Sequence, residues 1–287
     1  MSFSAADLID LLDLEPIEHN IYRGQNRDIG AGRIYGGQVL AQALVAAART
    51  VPEDRPIHSM HGYFILAGDL AVPVVYFVDR LRDGGSFTTR RVTAIQHGNA
   101  IFNLAASFHR HEEGLRHQEA MPEAPDPDSL TPELEVIRAQ RERIPEPLRD
   151  TLTQDRPLDI RPVDDPDPFM TDERPPRRCF WVRATAEMGD DPLHHQAVLA
   201  YASDYGLLVT SLRPHGMSFR DPRLMVASLD HSIWFHRPFR ADEWLLYSVD
   251  SPVASGGRGF ARGTYFSREG DVVASVAQEG LIRVRSR

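Results

Sequence analysis

Three polar side chains in the second half of the chain have apolar neighbours. Asp204 lies in residues 199–209, a helical stretch with little else to solvate a carboxylate. Gln278 continues an apolar row on the last predicted strand, and Ser228 shares a strand face with Val226. Taken alone, each residue has a simpler structural explanation: an Asp in a helix is usually solvated or caps the helix, and a Ser or Gln on a strand usually faces water. A buried charge is costly unless it is paired, hydrogen-bonded or functional, and a buried polar group is costly unless it is hydrogen-bonded. We therefore treat all three residues as candidate catalytic residues for acid–base chemistry.

Several other chemistries are excluded by what the sequence lacks. All 32 basic residues are arginine, so a Schiff-base lysine and the lysine of a phosphate-binding loop are both missing. There is no Gly-x-Ser-x-Gly elbow, which argues against an α/β-hydrolase triad. The histidine pairs at 194–195 and 109/111 lack the further ligands of a zinc site. We therefore predict no metal and no cofactor.

An anionic ligand must then be held by arginine, by backbone N–H groups or by a helix N-terminus. Arg90, Arg91 and Arg258 lie close to repeated glycine pairs and are candidate contacts for phosphates. Exposed arginines on strands, with no ligand at all, are the simpler reading of the same residues.

The pattern that must position these residues occurs twice. Two glycine pairs, 84–85 and 256–257, each open an alternating strand that ends at a single glycine turn, 98 or 270. Both comparisons give the same offset, since 256 − 84 = 172 and 270 − 98 = 172. The repeat predicts two similar α+β units that face each other across a shared site.

Each predicted unit has a helical stretch ahead of its strands, at residues 38–50 and 194–209. The first stretch is apolar nearly all round, which is typical of a buried helix, and an antiparallel sheet wrapped around it is the simplest assembly. Twelve of the 21 prolines lie in residues 112–178, so this acidic stretch reads as a linker that holds one helix. We predict N-terminal and C-terminal units at 1–111 and 179–287, the second with the catalytic candidates.

Composition favours the cytoplasm over a membrane or a nucleic-acid complex. The net charge of −9 argues against nucleic acid, whose binding depends on phosphate neutralisation. No apolar run reaches the ~18 residues of a membrane span, and the first residues are acidic where a signal peptide is basic. A single cysteine suits a reducing compartment.

Seven ordered segments distributed along the chain give a more specific signal. They are RIYGGQVLAQ at 33–42, HSMHGYF at 58–64, LRDGGSF at 81–87, YASD at 201–204, DHSIWFHRPF at 230–239, EWLLY at 243–247 and QEG at 278–280. By these segments the chain resembles acyl-CoA thioesterase II, a double-hotdog enzyme, over essentially its full length. The resemblance implies two hotdog units, each a central helix wrapped by an antiparallel sheet.

The resemblance also implies hydrolysis of fatty acyl-CoA to free acid and CoA. The catalytic group of that family is an Asp on the second hotdog helix, a Gln on the last strand and a Thr or Ser hydroxyl. Here these fall on Asp204, Gln278 and Ser228, with Ser where a bacterial relative has Thr, a change that loosens the hydroxyl rotamer. His58 matches a histidine discussed as functional in the family, and we assign it a supporting role.

The chemistry is reasonable for these groups. A thioester has an electrophilic carbonyl and a good leaving group, so Asp204 would accept a proton from water that Gln278 and Ser228 orient. Gly36 and Gly37 are assigned to substrate binding at a helix N-terminus, whose backbone N–H groups would stabilise the oxyanion. A transient anhydride at Asp204 stays open. The acyl chain would enter an apolar channel between helix and sheet.

Two other functions compete with this prediction. A hotdog enoyl-CoA hydratase has a Gly-Asp-x-Asn-Pro-Leu-His pattern, and residues 189–194 resemble it but are one residue short and lack the Asn. The second competing function is that of a non-catalytic acyl-CoA-binding protein with the same fold. We also expect a homo-oligomer, a dimer or a tetramer, because a curved double-hotdog sheet offers surfaces for one.

Overall fold

The computed structural model describes residues 2–164, 167, 169, 171–219 and 221–285, and its strands join into one sheet. The helices are α1 (Ala5–Leu12), α2 (Gly36–Ala48), α3 (Glu133–Ala139), α4 (Arg149–Thr153), α5 (Pro192–Ser203) and α6 (Leu207–Leu212). The strands are β1 (Glu15–Glu18), β2 (Ile21–Gly24), β3 (Ile57–Phe64), β4 (Val74–Asp83), β5 (Phe87–Gln96), β6 (Asn99–His109), β7 (Leu158–Pro162), β8 (Arg177–Ala184), β9 (Leu224–Ser228), β10 (Asp230–Phe235), β11 (Leu245–Ser255), β12 (Arg258–Ser267) and β13 (Val272–Val284). No helix among the described residues is long and apolar enough to cross a bilayer.

The sheet has two similar halves. The strand order is β1-β2-β4-β5-β6-β3 in the first and β10-β13-β12-β11-β8-β7 in the second, with β9 added along β13. The predicted hairpins are present as β5–β6 and β12–β13, with left-handed turn glycines Gly98 (φ 74°) and Gly270 (φ 92°). The halves join where β3 pairs with β10, with Tyr63 opposite Asp230. The two similar α+β units predicted from the repeat are confirmed, and so is the double hotdog that the family resemblance implies.

Helix α2 is buried, as its apolar sequence predicts. Every residue from Gly37 to Ala47 is buried, including two glutamines. One of them, Gln42, donates to the carbonyl of Leu11 (2.7 Å) and accepts from the hydroxyl of Tyr76 (2.7 Å). These bonds satisfy the amide, so a polar side chain can sit inside the core without an unpaired group.

The second helical stretch is not one helix, and the prediction of a continuous helix over 194–209 is wrong. Gly206 adopts a left-handed conformation (φ 85°) and separates α5 from α6. The N–H of Tyr205 bonds the carbonyl of Ala202, closing the last turn of α5. Asp204 is therefore the residue that ends α5, and its side chain projects from a break in the helix.

Residues 112–178 hold more regular structure than the one helix expected of them. Besides α3 they form α4 and strand β7, which pairs with β8 at the edge of the second half-sheet. Pro162 ends β7, and an edge strand tolerates a residue that cannot donate a hydrogen bond. Residues 165, 166 and 168 of the second acidic run lie outside the described residues.

Candidate active site

Asp204 lies in the second half of the molecule and contacts α2, the buried helix of the first half. Its Oδ2 atom accepts a hydrogen bond from the backbone N–H of Gly37 at the start of α2 (3.0 Å). Tyr35 stands at the N-cap of α2, and its hydroxyl bonds the carbonyl of Tyr201 instead. Helix α5, by contrast, is capped by its own Asp191. Asp204 thus caps α2 from outside, and the positive end of the α2 dipole favours its negative charge.

Gln278 and Ser228 meet the same carboxylate. The Nε2 atom of Gln278 donates to Oδ1 of Asp204 (2.7 Å), and the Ser228 hydroxyl donates to the same atom (3.4 Å). Strand pairing brings them together, since Ser228 lies opposite Gly280, two residues beyond Gln278. A carboxylate only accepts, so the Gln278 NH₂ faces it; the Gln278 Oε1 atom is buried without a hydrogen-bond partner among the described residues.

Two glycines keep the space beside the carboxylate clear. A Cβ on Gly36 would stand 2.7 Å from Oδ2 of Asp204 and 3.1 Å from the ring of Phe64. A Cβ on Gly37 would stand 2.3 Å from the carbonyl oxygen of Tyr201. Glycine is required at both positions for the two helices to approach this closely.

Two tyrosines that the sequence did not single out fix the helix ends around the site. The Tyr35 hydroxyl donates to the carbonyl of Tyr201 (3.1 Å), and the Tyr247 hydroxyl donates to the carbonyl of Ser203 (3.1 Å). Burial, followed by the charge of Asp204, raises the pKa of both phenols well above the usual value. Both therefore stay protonated as donors. In sequence, each looks like an ordinary core aromatic.

A buried histidine lies next to this group. The Nε2 atom of His231 is 2.8 Å from the hydroxyl of Ser203, which itself donates to the carbonyl of Ala200. Nε2 must then carry the proton, and Nδ1 has no partner within the described part of the chain. Burial lowers the pKa of His231 to about 4, although the charge of Asp204 acts in the opposite direction. The ring is neutral at pH 7.

Comparison with known proteins gives a consistent result over the whole chain. A family model described as acyl-CoA thioesterase matches residues 147–281, and one described as acyl-CoA thioesterase N-terminal domain matches residues 25–109. The chain is 41% identical to acyl-CoA thioesterase 2 of Haemophilus influenzae, covering 99% of each protein. The chain belongs to the acyl-CoA thioesterase family.

Other members of the family agree in sequence and in fold. Human acyl-coenzyme A thioesterase 8 is 42% identical, covering 96% of this chain and 88% of the relative. A crystal structure of an acyl-CoA thioesterase II from Mycobacterium marinum matches with a TM-score of 0.79 at 42% identity, covering 97% of this chain and 99% of that one. The protein is therefore a thioester hydrolase with the double-hotdog fold.

His58 of this thioesterase lies away from the catalytic candidates. Its Nε2 atom is 2.7 Å from the hydroxyl of Ser107, and burial lowers its pKa. On β3 the residue at the site is Phe64, whose ring lies against Gly36, and six residues of strand, about 20 Å, separate it from His58. The structure does not join His58 to Asp204 by a hydrogen bond, and its supporting role stays a prediction.

Arg90 is also not available to a ligand. Its side chain is fully buried, donates to the hydroxyl of Thr50 (2.7 Å) and forms an ion pair with Asp83 (2.6 Å). Alternation along β5 turns Arg90 into the core while Arg91 faces water. The prediction that Arg90 contacts phosphates is corrected: this arginine ties β5 to the end of α2.

The two other candidate arginines are on the surface. Arg91 pairs with Asp79 (2.7 Å) and Arg258 pairs with Glu279 (2.8 Å), and all four side chains are at least partly exposed. Such surface pairs are weak, so either guanidinium can exchange its partner for a phosphate at little cost.

The hydratase-like segment, residues 189–194, has a structural role. Asp191 caps α5 by accepting from the N–H of Leu193 (2.9 Å). The following His195 is buried, with Nε2 3.0 Å from the carbonyl of Gly189. The histidine of the segment itself, His194, is partly exposed and its Nε2 atom lies 3.9 Å from Oδ2 of Asp191, so these side chains make a surface contact at the start of the helix.

Proposed function

We propose that this thioesterase hydrolyses fatty acyl-CoA to free fatty acid and CoA, with water as nucleophile and Asp204 as general base. The observation that supports the proposal is the convergence on one carboxylate of an amide, a hydroxyl and a helix N-terminus from both halves. Groups held this way have the geometry of general-base catalysis.

In the proposed step, a water molecule lies beside Asp204 and within reach of Gln278 and Ser228. The Oε1 atom of Gln278, which has no hydrogen-bond partner among the described residues, would accept one water proton, and Asp204 would take the other as the water oxygen attacks the thioester carbonyl. The tetrahedral intermediate then collapses, the C–S bond breaks, and CoA leaves as a thiolate that recovers the proton from Asp204.

The start of α2 would stabilise the negative charge on the carbonyl oxygen. Gly37 already donates to Asp204, and Gly36 opens the same helix end with its missing side chain facing the carboxylate. Partial positive charge at a helix N-terminus acts on an oxyanion without any rearrangement during the reaction. We assign Gly36 and Gly37 to this part of the substrate site.

The remaining expectations are proposals as well. We assign the CoA phosphates to surface arginines, for which Arg91 and Arg258 remain candidates. We also propose a cytoplasmic location and a homo-oligomer. Large exposed apolar side chains on the sheet, such as Tyr63 and Phe87, support an assembly.

A thiol-release assay over C4 to C18 acyl-CoAs tests the function. We expect turnover by the wild type and its loss in Asp204→Ala, with acyl-CoA binding retained. An enoyl-CoA, crotonyl-CoA, is tested in parallel for loss of its enoyl absorbance. Hydration without thiol release would establish a hydratase instead, and binding without turnover would establish a non-catalytic binding protein.

A further inference from the structure

The stretch between the two units supplies a buried carboxylate close to the active site. Glu133 is the first residue of α3 and is 1% exposed, although most acidic residues of 112–178 face water. It accepts from Arg178 (3.0 Å) and Arg156 (3.4 Å), and from the hydroxyl of Tyr205. A carboxylate this deeply buried needs such partners, because an unpaired charge there would be strongly destabilising.

One of these partners is joined directly to the proposed general base. Tyr205 follows Asp204 in the break between α5 and α6, next to the left-handed Gly206. Its ring stands edge-on to that of Phe180, with centroids 6.1 Å apart, and the guanidinium of Arg178 lies over the same Phe180 ring, 5.2 Å from its centroid. The side chain of Tyr205 is therefore fixed by packing and by its hydrogen bond to Glu133.

The hydrogen bond has a definite direction. Burial, followed by the charge of Glu133, raises the pKa of Tyr205, so the phenol keeps its proton and donates to the carboxylate. The charge on Glu133 is in turn balanced by Arg178 and Arg156. Helix α3 is thus connected to the segment between α5 and α6 by the hydrogen bond from the Tyr205 hydroxyl to Glu133.

We infer that Glu133 and Tyr205 are positioning residues that set the geometry of Asp204 through the break between α5 and α6. The inference depends on the proposed catalytic role of Asp204. The carboxylate must meet Gln278 (2.7 Å), Gly37 (3.0 Å) and Ser228 (3.4 Å) at once. A backbone shift of about 1 Å would break this alignment, and misplacements of that size cost about 100-fold in rate.

Tyr205→Phe tests the inference, because it removes only the hydroxyl. We expect kcat to fall about 10- to 100-fold while KM for a long-chain acyl-CoA stays unchanged. The matched control is Tyr76→Phe, which removes another buried hydroxyl bonded to a side chain, that of Gln42 (2.7 Å). We expect that control to lower the melting temperature and leave kcat unchanged. A Tyr205→Phe enzyme with normal kcat, or equal kcat losses in both variants, would overturn the inference.

A second variant keeps the test decisive if one protein folds poorly. Glu133→Gln retains an oxygen acceptor and removes the charge, and we expect it to lower kcat without changing KM. In the double variant with Tyr205→Phe the losses should not multiply, because both act through one contact. Losses that multiply would contradict the inference. The proposed function is tested separately: if Asp204→Ala turns over normally, the general-base assignment fails whatever the result at Tyr205.

Discussion

At the scale of single residues, the two oxygens of Asp204 have separate tasks. Oδ2 accepts from Gly37 at the helix end, whereas Oδ1 accepts from both Gln278 and Ser228. The hydroxyl contact is the longest of the three, so Ser228 has the most freedom. Because the Ser228 hydroxyl only orients the water and is held loosely, we expect it to contribute less to the rate than the carboxylate of Asp204.

Ser228 is the residue where a conservative change is most informative. We expect Ser228→Ala to lower kcat about 10- to 100-fold, because the site loses one orienting hydroxyl. Ser228→Thr should retain activity, since it keeps the hydroxyl and restricts its rotamer. Steady-state thiol release measures both. Ser232→Ala, which removes a hydroxyl bonded to exposed His61, is the control and should not change kcat. Normal activity in Ser228→Ala would remove Ser228 from the group.

His231 should make stability depend on pH. Burial lowers its folded pKa to about 4, against 6.5 in the unfolded chain, so the unfolded state binds the proton first as pH falls. The free energy of unfolding therefore decreases between pH 6.5 and pH 4, by about 3 kcal/mol in total. Urea unfolding at pH 7 and pH 4 measures this, with His231→Gln as reference. Equal losses in wild type and variant would show that other groups cause the effect.

At the scale of elements, the site depends on where two helices begin and end. Helix α2 starts with a glycine pair that lets a carboxylate of the other half approach its N–H groups. Helix α5 ends at Ser203, with Asp204 as its C-cap, and the left-handed conformation of Gly206 prevents the helix from continuing. The catalytic candidates therefore lie at helix ends and on paired strands, which rigid elements hold in place.

Gly36 provides the sharpest test at this scale. In Gly36→Ala the new Cβ would stand 2.7 Å from Oδ2 of Asp204, so the carboxylate must move. We expect kcat to fall at least about 10-fold while the protein stays folded. Gly85→Ala is the control, because no atom of the described residues lies within 4 Å of the added Cβ, and it should keep full activity. Thiol release and thermal melting are measured together. Wild-type kcat in Gly36→Ala would show that the carboxylate tolerates displacement.

Sequence periodicity was sufficient for the strands and for the buried helix, and not for the details of the site. Alternation and glycine turns predicted β5, β6, β12 and β13 closely. The apolar stretch 194–209 hid a break, because a helix tolerates a single glycine at a modest cost and the φ of Gly206 cannot be read from the pattern. Arg90 was misplaced because its charge suggested a surface position, while its buried partner Thr50 is 40 residues away in sequence. The contact between Tyr205 and Glu133 could not be predicted either, because the two residues are 72 positions apart in the sequence.

At the scale of the whole molecule, the two halves are joined by more than a linker. Strands β3 and β10 pair in the middle of the sheet, and α2 packs against α5. The Tyr35 hydroxyl and the Asp204 carboxylate each bond the opposite helix. Neither half has the complete site. Because these contacts join the halves, we expect them to fold as one unit.

We expect a single unfolding transition for the complete chain. All three tryptophans, at 181, 234 and 244, lie in the second half, so fluorescence reports mainly that half, although Trp234 also contacts His61 of the first. Far-UV circular dichroism reports both halves. In urea the two signals should change together, because the shared sheet and helix contacts couple the units. Separate midpoints would show that the halves unfold independently.

The most direct test of the general-base role is the kcat of Asp204→Asn. Asparagine preserves the size of the side chain and removes the group that accepts the proton. We expect kcat to fall about 10²- to 10⁴-fold while the dissociation constant for acyl-CoA, measured by calorimetry, stays close to that of the wild type. An Asp204→Asn enzyme that releases thiol at the wild-type rate would contradict the assignment.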